Sequence, residues 1–263
     1  GDALYLSQAG WLHPPKLCEA LTRLPNIHVH LSKTINSLNF ENNAWHLSET
    51  GIEKCAPFDA VVISNAYAAM QFEQCQHLPI KRIRGQISYI PENKLSAKLK
   101  TVVCGDGYIA PANGGFHSSG ASFNLEALNT EESLQDHRDN IEKAKKLSPE
   151  LAQTVESANL STLKGRVGFR CTSPDYFPIV GPVPDSEEIL NQFAILRKKA
   201  NADIDQPGQY YPGLYCNIAH GSRGLAYTPL CSEVLASVIS GEFLPIERHL
   251  YRHIQPTRFL IRD

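Results

Sequence analysis

Apolar and polar positions along this chain change rhythm several times, and each rhythm predicts a kind of element. From Leu12 to Leu24 the spacing is helical, with Pro14 and Pro15 at the start, where a missing N–H is harmless. Ile27-His28-Val29-His30-Leu31 alternates and predicts a half-buried strand. Two strand-like runs, Ile35 to Phe40 and Ala44 to Ser48, flank Asn42-Asn43 and predict a hairpin. Phe58 to Ala66 is different: a continuous apolar run closed by small residues. Such a run predicts a strand buried on both faces, as in a parallel sheet.

From about residue 79 the texture changes. Arg84 to Ile90, Thr101 to Cys104, Gly107 to Ile109 and Ser118 to Phe123 are short strand-like runs parted by Gly, Pro and Asn, which predicts an antiparallel sheet. Thr130 can cap a helix over Glu131 to Lys146, and Ser148-Pro149 can start another. Asp185-Ser186-Glu187-Glu188 is a variant capping box and predicts a helix to about Lys199. Leu214 to Ala219 reads as a strand, Gly221-Ser222-Arg223-Gly224 as a turn, and the run through Val234 to Ser240 as a helix ended by Gly241. No internal repeat is visible. The expected organisation is a β/α unit, a β-rich insertion with helices, and a closing strand–glycine turn–helix unit, with segments at 1–78, 79–172 and 173–263. The fold class is mixed, α+β with α/β character.

Composition narrows this picture. A chain of 263 residues, 42% hydrophobic and 20% charged, can bury a sizeable core and is not disordered. Lys+Arg 25 against Asp+Glu 27 gives a net charge of −2, so no global basic field marks a nucleic-acid binder, although a local patch suffices for one. Seven cysteines, Cys18, Cys55, Cys75, Cys104, Cys171, Cys216 and Cys231, show no C-x-x-C spacing. They fit free thiols in a reducing compartment, and the cytoplasm is expected. No apolar run reaches the about 18 residues of a membrane span. The start, Gly1-Asp2-Ala3, carries no charged segment ahead of a short apolar core, so no signal peptide is expected.

Three segments could carry chemistry. His220-Gly221-Ser222-Arg223-Gly224 places a glycine-flanked turn between a strand and a helix. Backbone N–H groups and the helix dipole there suit a phosphate, a carboxylate or the electron-rich edge of a reduced flavin. The plainer alternative is a tight turn that needs glycine for room. Arg170, in Gly168-Phe169-Arg170-Cys171, is flanked by apolar and small residues and needs an anion. That anion is either a ligand carboxylate or an internal one such as Asp175. Lys81-Arg82-Ile83-Arg84 could touch a phosphate backbone, but a solvated boundary strand explains it as well. The basic residues at 143–146, 197–199 and 248–262 read the same way. The histidine pairs His28/His30 and His249/His253 have no acidic or cysteine ligand at a recognised spacing, so no metal site is expected.

Taken together, these segments resemble a known family. Phe58 to Ala66 is similar to the strand that ends near the cofactor in two-domain flavoprotein amine oxidases, the D-amino-acid oxidase and glycine oxidase class. Gly168-Phe169-Arg170 with Asp175-x-x-Pro178-Ile179-Val180-Gly181 resembles their substrate-arginine segment. Gly221 to Gly224 with its helix resembles their flavin-contacting C-terminal segment. Five further motifs fall in the order seen in one branch: Gly10-Trp11-Leu12-x-Pro14, Arg84-Gly85-Gln86-Ile87-Ser88-x-Ile90-Pro91, Gly107-Tyr108-Ile109-x-Pro111-Ala112-Asn113, Gly120 to Phe123, and Gly221 to Cys231. That branch is the FAD-dependent domain of the bifunctional enzymes that make 5-methylaminomethyl-2-thiouridine in tRNA.

The resemblance implies a two-domain amine-oxidase fold, with a partial FAD-binding domain and an antiparallel-sheet substrate domain. It implies FAD as cofactor and Asn65, Ala66, Arg84, Gly85, Gln86, Gly221, Ser222, Arg223, Gly224 and Leu225 as residues beside it. Tyr108, Arg170 and Arg223 would meet the substrate, with Arg170 holding its carboxylate. It implies oxidative removal of a carboxymethyl group from a wobble uridine, tRNA as partner, and a methyltransferase domain ahead in the parent chain that uses S-adenosylmethionine. Residues 1 to 30 hold no Gly-x-Gly-x-x-Gly turn. The chain is therefore expected to lack the family's first β–α–β unit and the adenosine half of the FAD site. Two other functions remain open: oxidation of a free small amino acid of the glycine or sarcosine type, and a catalytically silent fragment.

Overall fold

A computed structural model describes residues 3–49, 57–156, 159–199 and 201–260. Cys55 lies outside them. The elements, in order, are helix α1 (Pro14–Thr22), strands β1 (Ile35–Glu41), β2 (Ala44–Glu49), β3 (Val61–Ile63), β4 (Lys81–Pro91), β5 (Val103–Cys104), β6 (Tyr108–Ile109) and β7 (Phe116–Gly120), helices α2 (Leu134–Lys145) and α3 (Pro149–Glu156), strands β8 (Lys164–Thr172) and β9 (Ile179–Pro184), helix α4 (Ser186–Gln192), strand β10 (Tyr210–Ile218), and helices α5 (Gly224–Ser240) and α6 (Arg248–Arg252). The chain forms two compact units. One comprises residues 1–28 and 83–169, the other 29–82 and 170–263.

The first unit is built on a five-stranded sheet in the order β5-β6-β7-β4-β8. Its described hairpin pairings are antiparallel, as the turn-rich sequence implies. On β4 the buried residues alternate as Arg84, Gln86, Ser88 and Ile90. That side of the sheet carries α2, whose Asn140 donates to the Gln86 carbonyl and whose His137 meets the Ser88 hydroxyl at 2.7 Å. Ile90, Ile109, Ile141, Ala144 and Val155 close the apolar part of this core. The α2 cap differs from the sequence expectation. Ser133, not Thr130, accepts from the Gln135 and Asp136 N–H groups. The residues before it are held extended by β4 side chains, so the helix begins at Leu134.

The second unit has a three-stranded sheet, β3-β10-β9, with β3 parallel and β9 antiparallel to β10. Ile63, Leu214, Cys216, Ile218 and Ile179 are all buried in its core. The β1–β2 hairpin turns through Asn42 and Asn43, both at positive φ (54° and 60°), the conformation that Asn tolerates and a two-residue hairpin requires. Trp45 of β2 is buried and donates to the Pro212 carbonyl at 2.7 Å.

Three sequence expectations need correction here. Ile27 to Leu31 is not a strand, because no neighbouring strand pairs with it among the described residues; Ile27, Val29 and Leu31 are exposed. β3 has the expected parallel partner but is not covered on both faces, and Val62 is 43% exposed at the sheet edge. Helix α4 has the expected Asp185 cap, accepting from the Glu188 N–H, but stops at Gln192 and gives way to a 3-10 turn at Ala194–Arg197.

Candidate functional site

In the second unit, β3 and β10 run parallel and end side by side, with Ile63 opposite Cys216. Two connections therefore leave the sheet at the same end. After β3 come Ser64, Asn65 and Ala66, all exposed, with Ala66 at φ 54°. After β10 come Ala219 (φ 64°), His220 and Gly221 (φ 58°), then Ser222, Arg223 and α5. The carboxyl ends of parallel strands, opened by such turns, are where α/β sheets take ligands. The turn after β10 is fixed to the end of β8: the Gly221 N–H donates to the Cys171 carbonyl at 2.8 Å, and Thr172 pairs with His220. A Cβ on Gly221 would stand 3.3 Å from the Thr172 methyl and would also carry the cost of its positive φ.

Helix α5 starts at this turn without a side-chain cap. Its first N–H groups and its dipole face whatever occupies the turn. Ser222, Arg223 and Leu225 are exposed there, and Arg223 donates to the Tyr227 hydroxyl at 3.2 Å. His220 opens this motif in the sequence but has no role of its own there. Its Nδ1 is buried without a hydrogen-bond partner among the described residues. Burial pushes its imidazole below the usual range, against a backbone hydrogen bond at Asn217, so it stands neutral beside the turn. Its one sequence signal was its place directly ahead of the first glycine. Arg170 is half-buried on β8, two residues before Thr172.

Asp175, the internal anion that competed for Arg170, is held elsewhere. Arg258 grips both of its oxygens, at 2.9 and 3.0 Å, and Ser173 and Phe177 donate to it as well. Gly181 of the same segment sits at φ 140°, and a Cβ there would meet the Tyr251 hydroxyl at 3.2 Å. The Asp-x-x-Pro-x-x-Gly segment thus seats the chain from Tyr251 to Arg258.

The remaining candidates lie in the first unit, on opposite faces of one sheet. Arg84 is 3% exposed, and its guanidinium binds Asp136, the Asn129 and Glu131 carbonyls and the Gln86 side chain. The Gln86 amide exchanges hydrogen bonds with the Ser133 backbone at 3.0 and 2.7 Å. Both side chains are spent on the segment ahead of α2. Gly85 and Tyr108 lie on the other face, since Tyr108 is paired with Gly120, whose added Cβ would touch the Ile87 side chain. On the α2 side a cleft of about 850 Å³ is lined by Arg84 and acids that include Glu131, Glu132, Asp136, Asp139 and Glu142. Burial raises the Cys75 and Cys171 thiols to about 12 and about 11, which removes them as nucleophiles. Among the described residues no group of His, Cys, Asp and Glu could hold a metal ion, and no helix is long and apolar enough to cross a membrane.

Residues 1–238 match the FAD-dependent oxidoreductase (DAO) family. Similar proteins include the tRNA 5-methylaminomethyl-2-thiouridine biosynthesis bifunctional protein MnmC of Saccharophagus degradans, 43% identical over 99% of this chain and 36% of the relative. The protein of the same name from Pseudomonas syringae pv. syringae is 40% identical over 98% of this chain and 39% of its own length. The chain thus spans less than two fifths of each of these curated relatives. Among solved structures, glycine oxidase from Geobacillus kaustophilus superposes with a TM-score of 0.63 at 18% identity, covering 86% of this chain and 52% of that one. Iminodiacetate oxidase from Chelativorans gives 0.60 at 18%, covering 84% and 52%. These two show a shared flavoprotein-oxidase fold.

Proposed function

The chain belongs to the FAD-dependent oxidoreductase family, and from that premise we propose that it serves the oxidative step of a tRNA wobble modification. In that step 5-carboxymethylaminomethyl-(2-thio)uridine loses its carboxymethyl group and the aminomethyl form remains for later methylation. The observation that carries this reading is the turn from Ala219 to Gly224. It lies beside Asn65 and Ala66 at the carboxyl ends of two parallel strands, opens an uncapped helix, and is tied to the strand that bears Arg170. The bifunctional relatives, alike along nearly all of this chain, support the choice of substrate.

The residues fit the ring end of FAD. Asn65, Ala66 and the backbone from Gly221 to Leu225 would hold it, with an unpartnered imidazole nitrogen at His220 still to be satisfied. FAD, when bound, supplies hydride acceptance from the methylene beside a substrate amine. The protein's share is placement. Arg170 pairs with the substrate carboxylate and holds that methylene in line, an orientation effect worth several orders of magnitude in rate. The α5 N-terminus favours negative charge at the ring edge. Arg223, exposed at the same turn, adds a second cation for the substrate. Tyr108, in the first unit, would meet the substrate, as the family resemblance implies. Arg84 and Gln86 act at one remove, by fixing the strand that carries Gly85. The imine left on the substrate takes up water, glyoxylate leaves, and a primary amine remains. A methyltransferase domain of the parent chain, using S-adenosylmethionine, would then methylate that amine.

Mass analysis of tRNA nucleosides tests this reading. Deleting the gene should accumulate the carboxymethylaminomethyl nucleoside and remove the methylaminomethyl product. Restoring it with Arg170→Ala should leave that accumulation in place, with Arg170→Lys recovering part of the product. An unchanged nucleoside profile on deletion overturns the tRNA reading, and full rescue by Arg170→Ala removes Arg170 from its role.

A further inference from the structure

The helix-free face of the five-stranded sheet is aromatic and basic. Pairing decides which residues share it. Cys104 stands opposite Tyr108, Tyr108 opposite Gly120, and Gly120 opposite Ile87. One row on, Tyr89 stands opposite Ser118, and beyond it Pro91 opposite Phe116. A Cβ on Gly107 would meet the Lys143 side chain of α2, so the next residue, Tyr108, points away from that helix. By the same alternation on β8, a Cβ on Gly165 would meet the His137 ring, so Lys164 and Arg166 point to the helix-free side. Both are exposed, Phe116 is 47% exposed, and Tyr89 and Tyr108 are half-buried. None of the strand residues on this face is Asp or Glu. Five of the unit's acids, Glu131, Glu132, Asp136, Asp139 and Glu142, line the cleft on the α2 side instead.

An antiparallel sheet with one free face ordinarily turns small polar side chains to water. Basic residues on an edge strand guard against strand addition, and that accounts for Lys164 and Arg166 on β8. It does not account for Tyr89, Tyr108 and Phe116. Rings on a helix-free sheet face, with cations on its edge strand and no carboxylate among its strand residues, match the chemistry of unpaired RNA bases, whose faces stack and whose backbone is anionic.

We infer that this face receives unpaired nucleotides of an RNA loop, with a base stacked on Tyr89 or Tyr108 and two successive backbone phosphates paired with Lys164 and Arg166, one each. The inference rests on the tRNA reading above and adds the surface on which the loop lies. It is tested by binding of a labelled anticodon stem–loop to the natively expressed, flavin-loaded protein across a salt series. The double change Lys164→Glu with Arg166→Glu should weaken binding by roughly tenfold or more and lower the salt slope by about 2, one for each lost phosphate contact. Arg166→Gln, which cannot reverse the field, should lower the slope by about 1. Tyr89→Ala with Tyr108→Ala should weaken binding by roughly tenfold with the slope kept, and Tyr89→Phe with Tyr108→Phe should bind as wild type. Melting temperatures within a few degrees of wild type show that each variant is folded. If wild type binds and these variants bind equally well with the same slope, the inferred surface is wrong and the tRNA reading survives. If wild type does not bind the stem–loop even at low salt, both fall.

Discussion

Arg258 holds the carboxylate of Asp175 through two nitrogens, and the Ser173 hydroxyl and Phe177 N–H donate to the same group. Partial burial pushes this carboxyl up, but the Arg258, Ser173 and Phe177 hydrogen bonds outweigh that and hold it at about 2. A lowered folded-state value means that its stabilisation is present above the unfolded value of about 3.9 and is lost as pH falls toward 2. Asp175→Asn should therefore lower stability at neutral pH by about 1–2 kcal/mol, chiefly because the Arg258 side chain, only 6% exposed, loses its charged partner. Denaturant melts of the two proteins should differ at pH 7 and converge near pH 2. A constant gap across that range would show that the pair contributes nothing. Arg84 teaches the same lesson. Its run of basic neighbours reads as a contact for phosphate or flavin, but the partner that claims it, Asp136, lies 52 residues away. A charge's sequence neighbours are legible, while the carboxylate that folding brings to it is not.

At the scale of elements, local signals carried furthest where the chemistry is local. Asn42-Asn43 specifies its hairpin because both residues tolerate positive φ, and Asp185 caps α4 through an N–H three residues on. Ile27 to Leu31 alternates like a strand, but alternation supplies no partner, and a strand without one has unpaired backbone groups. Strand β8 separates local from tertiary effects at two glycines. A Cβ at Gly168 meets nothing within 4 Å, whereas one at Gly165 would clash with the Ile87 carbonyl of β4 and the His137 ring. Gly168→Ala should be neutral or stabilise by up to ~1 kcal/mol through a less flexible unfolded chain. Gly165→Ala should destabilise by more than about 2 kcal/mol, since backbone must move to admit it. Equal melting temperatures for the two variants would contradict the close approach of β8 to β4. The sequence shows two glycines three residues apart and cannot rank them.

At the scale of the whole molecule, each unit has a core of its own, one around Ile90, Ile109 and Ile141 and one around Ile63, Leu214 and Cys216. The chain passes between the units three times, once at His28–Val29 outside any strand and twice inside strands, at Arg82–Ile83 in β4 and Phe169–Arg170 in β8. Arg170 and Gly85 thus lie within a few residues of a crossing, where the backbone is fixed by ladder pairing rather than left to a loop. That is where a residue with a positioning role gains most from rigidity. Separate cores also make an energetic statement that can be checked. Ser133 caps α2 in the first unit, and Ser133→Ala should cost about 1 kcal/mol. Asp175 anchors Arg258 in the second, and Ser133 and Asp175 share no hydrogen-bond partner among the described residues. The double variant Ser133→Ala with Asp175→Asn should therefore lose the sum of the single losses to within about 0.5 kcal/mol. A coupling above about 1 kcal/mol would show that the two cores fold as one energetic unit.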